Sequence, residues 1–219
     1  MTWMTDSRLT GIDTESTGTN PETARIVSAC VGSSSWLIDP GVDIPAEATA
    51  VHGVTTEHAR EYGSDPAEAL TEIYELLLRR AGPIVLHNAP YDLTLLDREF
   101  RRHLGMRLPD GLIVLDTLIL YWRFDWRTGG RTLGKLAARH GIEFPAHNAE
   151  ADARAAVDLL RILGDENDLL GLIEPRSLHE AQAGWWATRQ DQLAARAQGY
   201  GHAFTPQPHW PLIPYQEAS

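Results

Sequence analysis

Five residues in three short segments carry side chains suited to one kind of chemistry. They are Asp13 and Glu15 in GIDTESTG, Asp92 in HNAPYD, and His147 and Asp152 in HNAEAD. Carboxylates that converge repel one another unless a cation lies between them. Two divalent cations about 4 Å apart can hold both the attacking and the leaving oxygen of an in-line displacement, which is what phosphodiester cleavage needs.

Each segment taken singly also has a plainer reading. Asp13 and Glu15 alternate, so on a strand they face the same side, but a lone D-x-E is commonly a solvated strand end. Asp92 falls in the first turn of an expected helix, where the helix dipole favours an acid in any case. His147 precedes a helix on a loop and can swing, as a general base toward water must, but the chain has nine histidines in all, so one on a loop is no surprise. The combination carries the argument. Three inward-facing acids fall at the end of a first strand and near two helix starts, the place where α/β sheets bind ligands.

The elements that must position these residues follow from pattern. Residues 8–39 read as three strands, with a tight turn near Gly32-Ser33 between the second and third. A short helix is expected at 55–62. Asp65-Pro66-Ala67-Glu68 is a capping box with Pro at the first helical position. It opens a helix with Leu70, Ile73 and Leu77 on one face, and Gly82-Pro83 closes it. PIVLHN is a short strand, and Pro90 opens a helix through about His103. GLIVLDTL is apolar without alternation, which predicts a central strand. Thr132 caps a helix ending at Gly141, and Asn148 opens one to about Leu163. This order predicts an α/β domain with a mixed sheet. The expected organisation is a domain over 1–163 and an extension over 164–219. The extension should be helical first, then rich in Pro and aromatics from Gly199, packing on the domain or on a partner.

Bulk composition narrows the class. With 219 residues, 43% of them apolar, the chain can bury one substantial core. Its single cysteine, Cys30, excludes an internal disulfide and sits in an apolar run, where a buried inert thiol is expected. The first residues lack a basic patch followed by an apolar stretch, and no run of about 18 apolar residues exists, so a cytoplasmic location is expected. A net charge of −11 argues against a protein that coats nucleic acid through a broad basic surface. It leaves room for one small cleft in which metal ions neutralise the acids before a phosphate arrives.

At these motifs the chain resembles the DEDD exonuclease superfamily, of RNase H-like fold. It has D-x-E as Asp13-Thr14-Glu15, the central Asp92, and H-x-x-x-x-D as His147 to Asp152. The spacing of that histidine marks the DEDDh branch. Within the branch, residues 8–163 are most similar to the proofreading ε subunit of bacterial DNA polymerase III and its relatives, through DTESTG, AVHGVTTE, HNAPYDLTLLDREF, DTLIL and TLGKLAARHGI. The resemblance implies a central mixed five-stranded sheet flanked by helices. It implies a 3′–5′ exonuclease that uses two divalent ions, Mg²⁺ with Mn²⁺ able to substitute, to release nucleoside 5′-monophosphates from DNA. It implies that Asp13, Glu15 and Asp152 hold one ion and that Asp13 and Asp92 hold the other. His147 would deprotonate the attacking water, and Glu15 and the backbone near Thr17 would contact the 3′-hydroxyl. His52, Asn88 and Tyr91 would line the terminal nucleotide pocket beside Thr14.

Other readings stay open at this point. The polymer could be RNA, or the domain could be an inactive module that only docks nucleic acid. A glycosidase needs only two carboxylates, but would leave Asp92, His147 and Asp152 idle. No glutamine-led sliding-clamp motif is recognisable; Gln190 to Ala194 is the nearest and lacks the aromatic, so association with a polymerase stays open. The segment RFDWRTGGR at 123–131 reads equally as a strand-covering loop and as an ordinary glycine-containing one.

Overall fold

β1 (Thr10–Ser16) is the strand on which the architecture turns. It pairs antiparallel with β2 (Ile26–Val31), which turns at Gly32 (φ 68°) into β3 (Ser34–Leu37). On its other side β1 pairs parallel with β4 (Ile84–Leu86), and β4 pairs parallel with β5 (Val114–Asp116). The sheet order is β3-β2-β1-β4-β5. The three parallel strands therefore all end on one side of the sheet, and the segments that follow them meet there. This computed structural model describes residues 3–5, 8–127 and 129–216; residue 128 of the RFDWRTGGR segment lies outside them.

Helices cover both faces of this mixed α/β sheet. α3 (Pro66–Leu78) and α4 (Ala89–Leu104) pack on one. α5 (Thr117–Phe124), α6 (Leu133–Arg139) and α7 (Ala149–Asp165) form most of the other. Successive strand residues alternate between the two cores: Ile84 and Leu86 join Leu70, Leu93 and Phe100, whereas Val85 joins Leu136, Leu159 and Leu160. Asp65 caps α3 by accepting from Ala67 N and Glu68 N at 2.8 and 3.2 Å. Two shorter helices, α1 (Ala46–His52) and α2 (Thr56–Tyr62), hang below β2 and β3. α1 was not expected from pattern, for it buries no residue and so shows no apolar stripe.

One further expectation needs correction. GLIVLDTL is not a long central strand: β5 is three residues at the sheet's edge, and the chain turns into α5 at Thr117. It is apolar because the last helix, α8 (Pro175–Gly199), covers that edge. Gln182 gives its amide oxygen to Asp116 N (2.7 Å) and its NH₂ to Val114 O (3.0 Å), while His179 Nδ1 accepts from Val114 N (3.1 Å). Side chains thus complete the ladder that a sixth strand would otherwise satisfy.

The residues after 164 are part of the same core. Leu170 and Leu178 enter one apolar cluster, Trp186 and Trp210 the other. Beyond Gly199 the chain has no regular structure and runs back over α4, where Ile213 N donates to Thr94 Oγ1 (3.0 Å) and Trp210 Nε1 reaches Asp116 Oδ2 (3.3 Å). Gln190 is buried in α8 and accepts from Gln207 N at 3.1 Å, so it is spent on internal packing. Among the described residues no helix is long and apolar enough to cross a membrane.

Candidate active site

The site is built from three elements that meet at the end of β1. Asp13 and Glu15 face one side of the strand, Ile12 and Thr14 the other. α7 crosses the first side. It comes close because position 11 is glycine: a Cβ there would lie 2.3 Å from Ala153 O. The next residue back on that helix is Asp152, 7% exposed. α4 approaches from the other side and delivers Asp92, 5% exposed, whose Oδ1 accepts from Thr14 N (3.0 Å) and Thr14 Oγ1 (2.6 Å). Thr14 therefore orients a carboxylate with its hydroxyl.

Each helix start is anchored. Asn148 caps α7 by accepting from Ala151 N (3.1 Å), and Asp152 folds back to accept from Asn148 N (3.0 Å). At α4 the anchor is Asp116, whose two carboxylate oxygens accept from Asn88 N (3.0 Å) and Ala89 N (2.9 Å). Asp116 also accepts from Leu118 N at 3.0 Å, so this one buried side chain ties the starts of α4 and α5 together. Among the described residues two non-glycines have positive φ, Asn88 (81°) and His147 (64°), and both flank the acids. Backbone held in this region costs free energy and persists where surrounding contacts over-determine it.

The electrostatics are lopsided. Burial raises the Asp13 carboxyl well above its usual range, and the nearby Asp92, Asp152 and Glu15 raise it further. Glu15 is pushed up to about 7, by burial first and then by Asp152 and Asp92. Asp92 also reaches about 7 through burial, although its bonds from Thr14 pull the other way. Burial raises Asp152 too, opposed by the backbone donors of Asn148 and His147. No arginine or lysine among the described residues forms an ion pair with any of the four. Ligand atoms of Glu15, His147 and Asp152 all lie within 4.8 Å of one another. Four acids made costly to ionise by one another and by burial are a donor set that suits hard divalent cations.

Beside the acids lies a cleft of about 720 Å³, floored by Thr14–Thr19 and walled by α1 and the start of α4. His52, Asn88, Tyr91, Thr14 and Thr17 all line it. The Tyr91 hydroxyl donates to the Gly18 carbonyl and touches Ser16 Oγ, which itself donates to Gly18 O at 2.9 Å. Thr17 Oγ1 accepts from Arg25 N at 2.9 Å. His52 Nδ1 accepts from Val54 N (3.1 Å), which leaves the proton on Nε2; that nitrogen is buried with no hydrogen-bond partner. His147 stands exposed on the far side of the acids, in a second small cavity with His52 and His58. Sequence reasoning missed Gly11, Asp116 and the α1 wall. A Gly inside a strand and an Asp ending an apolar run were visible signals, but nothing local said what they would meet.

A sheet of this order flanked by these helices defines an RNase H-like fold. Residues 10–160 match the family model described as exonuclease (RNase_T), and the chain belongs to that family of 3′–5′ exonucleases. It is 35% identical over 133 residues to a DNA polymerase III subunit epsilon-like protein of Rhodobacter capsulatus, covering 58% of this chain and 18% of that one. It is 30% identical over 180 residues to an uncharacterised exonuclease, CP81, of Escherichia phage 186, covering 74% of this chain and 90% of the phage protein. Among solved structures it is similar to E. coli exonuclease I in complex with a dT13 oligonucleotide, with a TM-score of 0.63 at 19% identity over 74% of this chain and 42% of that one. The exonuclease I of Methylocaldum szegediense gives a TM-score of 0.62 at 23% identity, over 74% and 41%. The chain thus spans under half of exonuclease I and under a fifth of the Rhodobacter protein.

Proposed function

We propose that this chain is a divalent-metal-dependent 3′–5′ exonuclease that removes nucleoside 5′-monophosphates from the end of DNA. The observation that carries the proposal is the set of half-buried Asp13 and Glu15 with buried Asp92 and Asp152, crowded together with no arginine or lysine partner among the described residues. Asp13, Glu15 and Asp152 would hold one ion, Asp13 and Asp92 the other. When bound, Mg²⁺ or Mn²⁺ would supply the positive charge that offsets the phosphate's and the transition state's negative charge.

The chain's own residues do the rest. His147 accepts the proton of the attacking water, and its closeness to Glu15 and Asp152 supports that role. Glu15 and the backbone at Thr17 hold the terminal 3′-hydroxyl. His52, Asn88 and Tyr91 receive the last nucleoside in the cleft, with the unpartnered Nε2–H of His52 as a donor for it. Thr14 keeps Asp92 aimed. The choice of DNA draws on the polymerase-subunit relative and on the oligonucleotide held by exonuclease I.

The test uses 5′-labelled single-stranded DNA, duplex DNA and RNA with Mg²⁺ or Mn²⁺. A ladder in one-nucleotide steps, lost with chelator and in Asp13→Ala, is the expected result. No cleavage of any substrate with either metal would sink the proposal, and a ladder from RNA alone would change the polymer. Full activity in His147→Ala would remove the general-base assignment.

A further inference from the structure

Among the described residues, Arg131, Arg189 and Arg196 come together beside α8 with no carboxylate pairing to any of them. Gln182 of α8 meets Asp116, the last residue of β5, and the helix continues to Gly199, about 25 Å further at 1.5 Å per residue. Its second half therefore rises past the end of the sheet on which the carboxylates lie. There it forms, with α5 and the loop before α6, a groove of about 340 Å³. Arg131, Arg189 and Arg196 line it together with Trp122, Leu118 and Leu193.

Arg189 lies over the Trp122 ring (5.9 Å to its centroid) and Arg196 over Tyr200 (5.9 Å). Neither forms an ion pair with an acid of the described residues, whereas Arg60, Arg79, Arg98, Arg101, Arg107 and Arg139 each have a carboxylate partner. Burial lowers the Arg189 pKa, and the neighbouring Arg131 and Arg196 lower it further. Arg131 donates to the carbonyls of Tyr121, Asp125 and Arg127, whereas Arg189 and Arg196 have no carboxylate partner among the described residues, and an anion would relieve the repulsion that Arg189 meets from its two neighbours. Guanidinium forks beside an aromatic face suit a phosphate chain with bases to stack.

The groove also connects with the candidate active site. His87, which precedes the cleft residue Asn88, is buried between Thr117 Oγ1 (Nδ1, 2.8 Å) and Arg131 O (Nε2, 2.9 Å). The cleft and the groove thus lie at the same end of the sheet, on either side of the start of α4. A strand whose terminal nucleotide enters the cleft has the groove as a charged exit. On the same loop Trp126 is 88% exposed.

We infer that the groove between α5 and α8 binds the phosphate backbone of single-stranded nucleic acid, holding the strand upstream of the nucleotide being removed. The inference rests on the exonuclease reading for the identity of the strand, but the groove's affinity can be measured apart from cleavage.

The experiment measures fluorescence anisotropy of labelled dT20 in chelator, over a salt series, for the full chain and for Arg189→Gln/Arg196→Gln. The double variant should bind at least tenfold more weakly, with a salt slope smaller by about 1.4, from about 0.7 per lost phosphate contact on a single strand. Arg189→Lys/Arg196→Lys should restore most of the affinity and show that folding is intact. Equal binding by the Gln variant and the unaltered chain, or no binding by either, would overturn the inference. Loss of affinity for an acidic peptide of equal charge, with dT20 affinity kept, would overturn it too and assign the groove to a protein partner. Hydrolysis of thymidine 5′-monophosphate p-nitrophenyl ester with Mn²⁺, a substrate too short to reach the groove, should be equal in all three. Its absence would count against the exonuclease reading alone.

Discussion

Helix α4 buries acids in two places and treats them in opposite ways. In its first turn Asp92 joins Asp13, Glu15 and Asp152, and among the described residues no arginine or lysine pairs with any of them. Further along the helix Asp97 and Glu99 are each 1% exposed, and both are neutralised by the protein itself. Asp97 accepts from Arg98 NH1 (2.6 Å), Arg101 Nε (2.7 Å) and Leu108 N (2.9 Å). Glu99 is paired by Arg25 and Arg102. Arg98 reaches on to Glu22 (2.7 Å) and to Ile213 O (2.9 Å), and its guanidinium and that of Arg101 lie over the Tyr215 ring. The network thus pins the irregular C-terminal segment to the helix. The difference teaches how to separate structural from functional buried charge. A carboxylate whose counter-charge is built in serves the fold. One whose counter-charge is left out is waiting for something from solution.

The sharpest way to break this comparison exchanges the consequences of removing an acid. Asp13→Asn should lower kcat by at least about 10³-fold, as expected if several kcal/mol of charge stabilisation are lost. Its melting temperature in chelator should be unchanged or higher, because one repelling charge is gone. Asp97→Ala should keep kcat within a few-fold and lose about 3–5 kcal/mol, because it leaves buried Arg98 with Glu22 as its one remaining carboxylate among the described residues. Thermal melts and steady-state rates on both variants check the pair. If Asp97→Ala abolishes turnover at full stability, the distinction fails.

A smaller effect is expected at Gly11. Alanine there places a methyl 2.3 Å from Ala153 O, so α7 must move and carry Asp152 with it. Loss of about 1–3 kcal/mol is expected from overpacking, with a fall in kcat and in Mg²⁺ affinity by calorimetry. A variant with lowered stability and unchanged Mg²⁺ binding would show that α7 does not set the spacing of the acids.

At the covered sheet edge, Gln182→Leu leaves Asp116 N and Val114 O unpaired and should cost about 1–3 kcal/mol. Urea unfolding should register it while turnover and Mg²⁺ affinity stay near those of the unaltered chain. A large loss of turnover would mean that the edge reaches the site through Asp116.

The smallest expected effect is in pH dependence. Glu15 and Asp92 have folded-state values of about 7, against roughly 4 for the unfolded chain. The folded state therefore binds more protons than the unfolded one between about pH 4 and 7, and the contribution of these groups to stability falls as pH rises through that window. Mg²⁺ should reverse the loss, so the gap in melting temperature between Mg²⁺ and chelator should widen by a few degrees from pH 5 to 7.5. In Asp13→Asn the gap should shrink. A gap independent of pH would show that the acids are not the metal's ligands.

Much of this was legible locally. Asp13 and Glu15 share a face because strands alternate, and Asn148 and Asp65 open helices because their side chains cap orphan amides two or three residues on. The five residues of the candidate site could be picked out by type and spacing. α1 was not legible because it buries nothing, yet it walls the cleft. The edge position of β5 was not legible either. An apolar run looks the same whether flanked by two strands or by a strand and a helix, and the side chains of α8 that bond to β5 lie 65 to 68 residues away.

From sequence alone came the candidate site residues and the local elements that carry them, because alternation, capping and apolar periodicity act over a few residues. The tertiary structure alone decided which buried acids lack a counter-charge, since Asp92 and Asp97 sit on one helix and differ only in what the rest of the chain brings to them. It also decided how closely α7 passes β1 at Gly11 and where the arginines of α8 come together. Those are contacts between distant segments, and no local pattern encodes them.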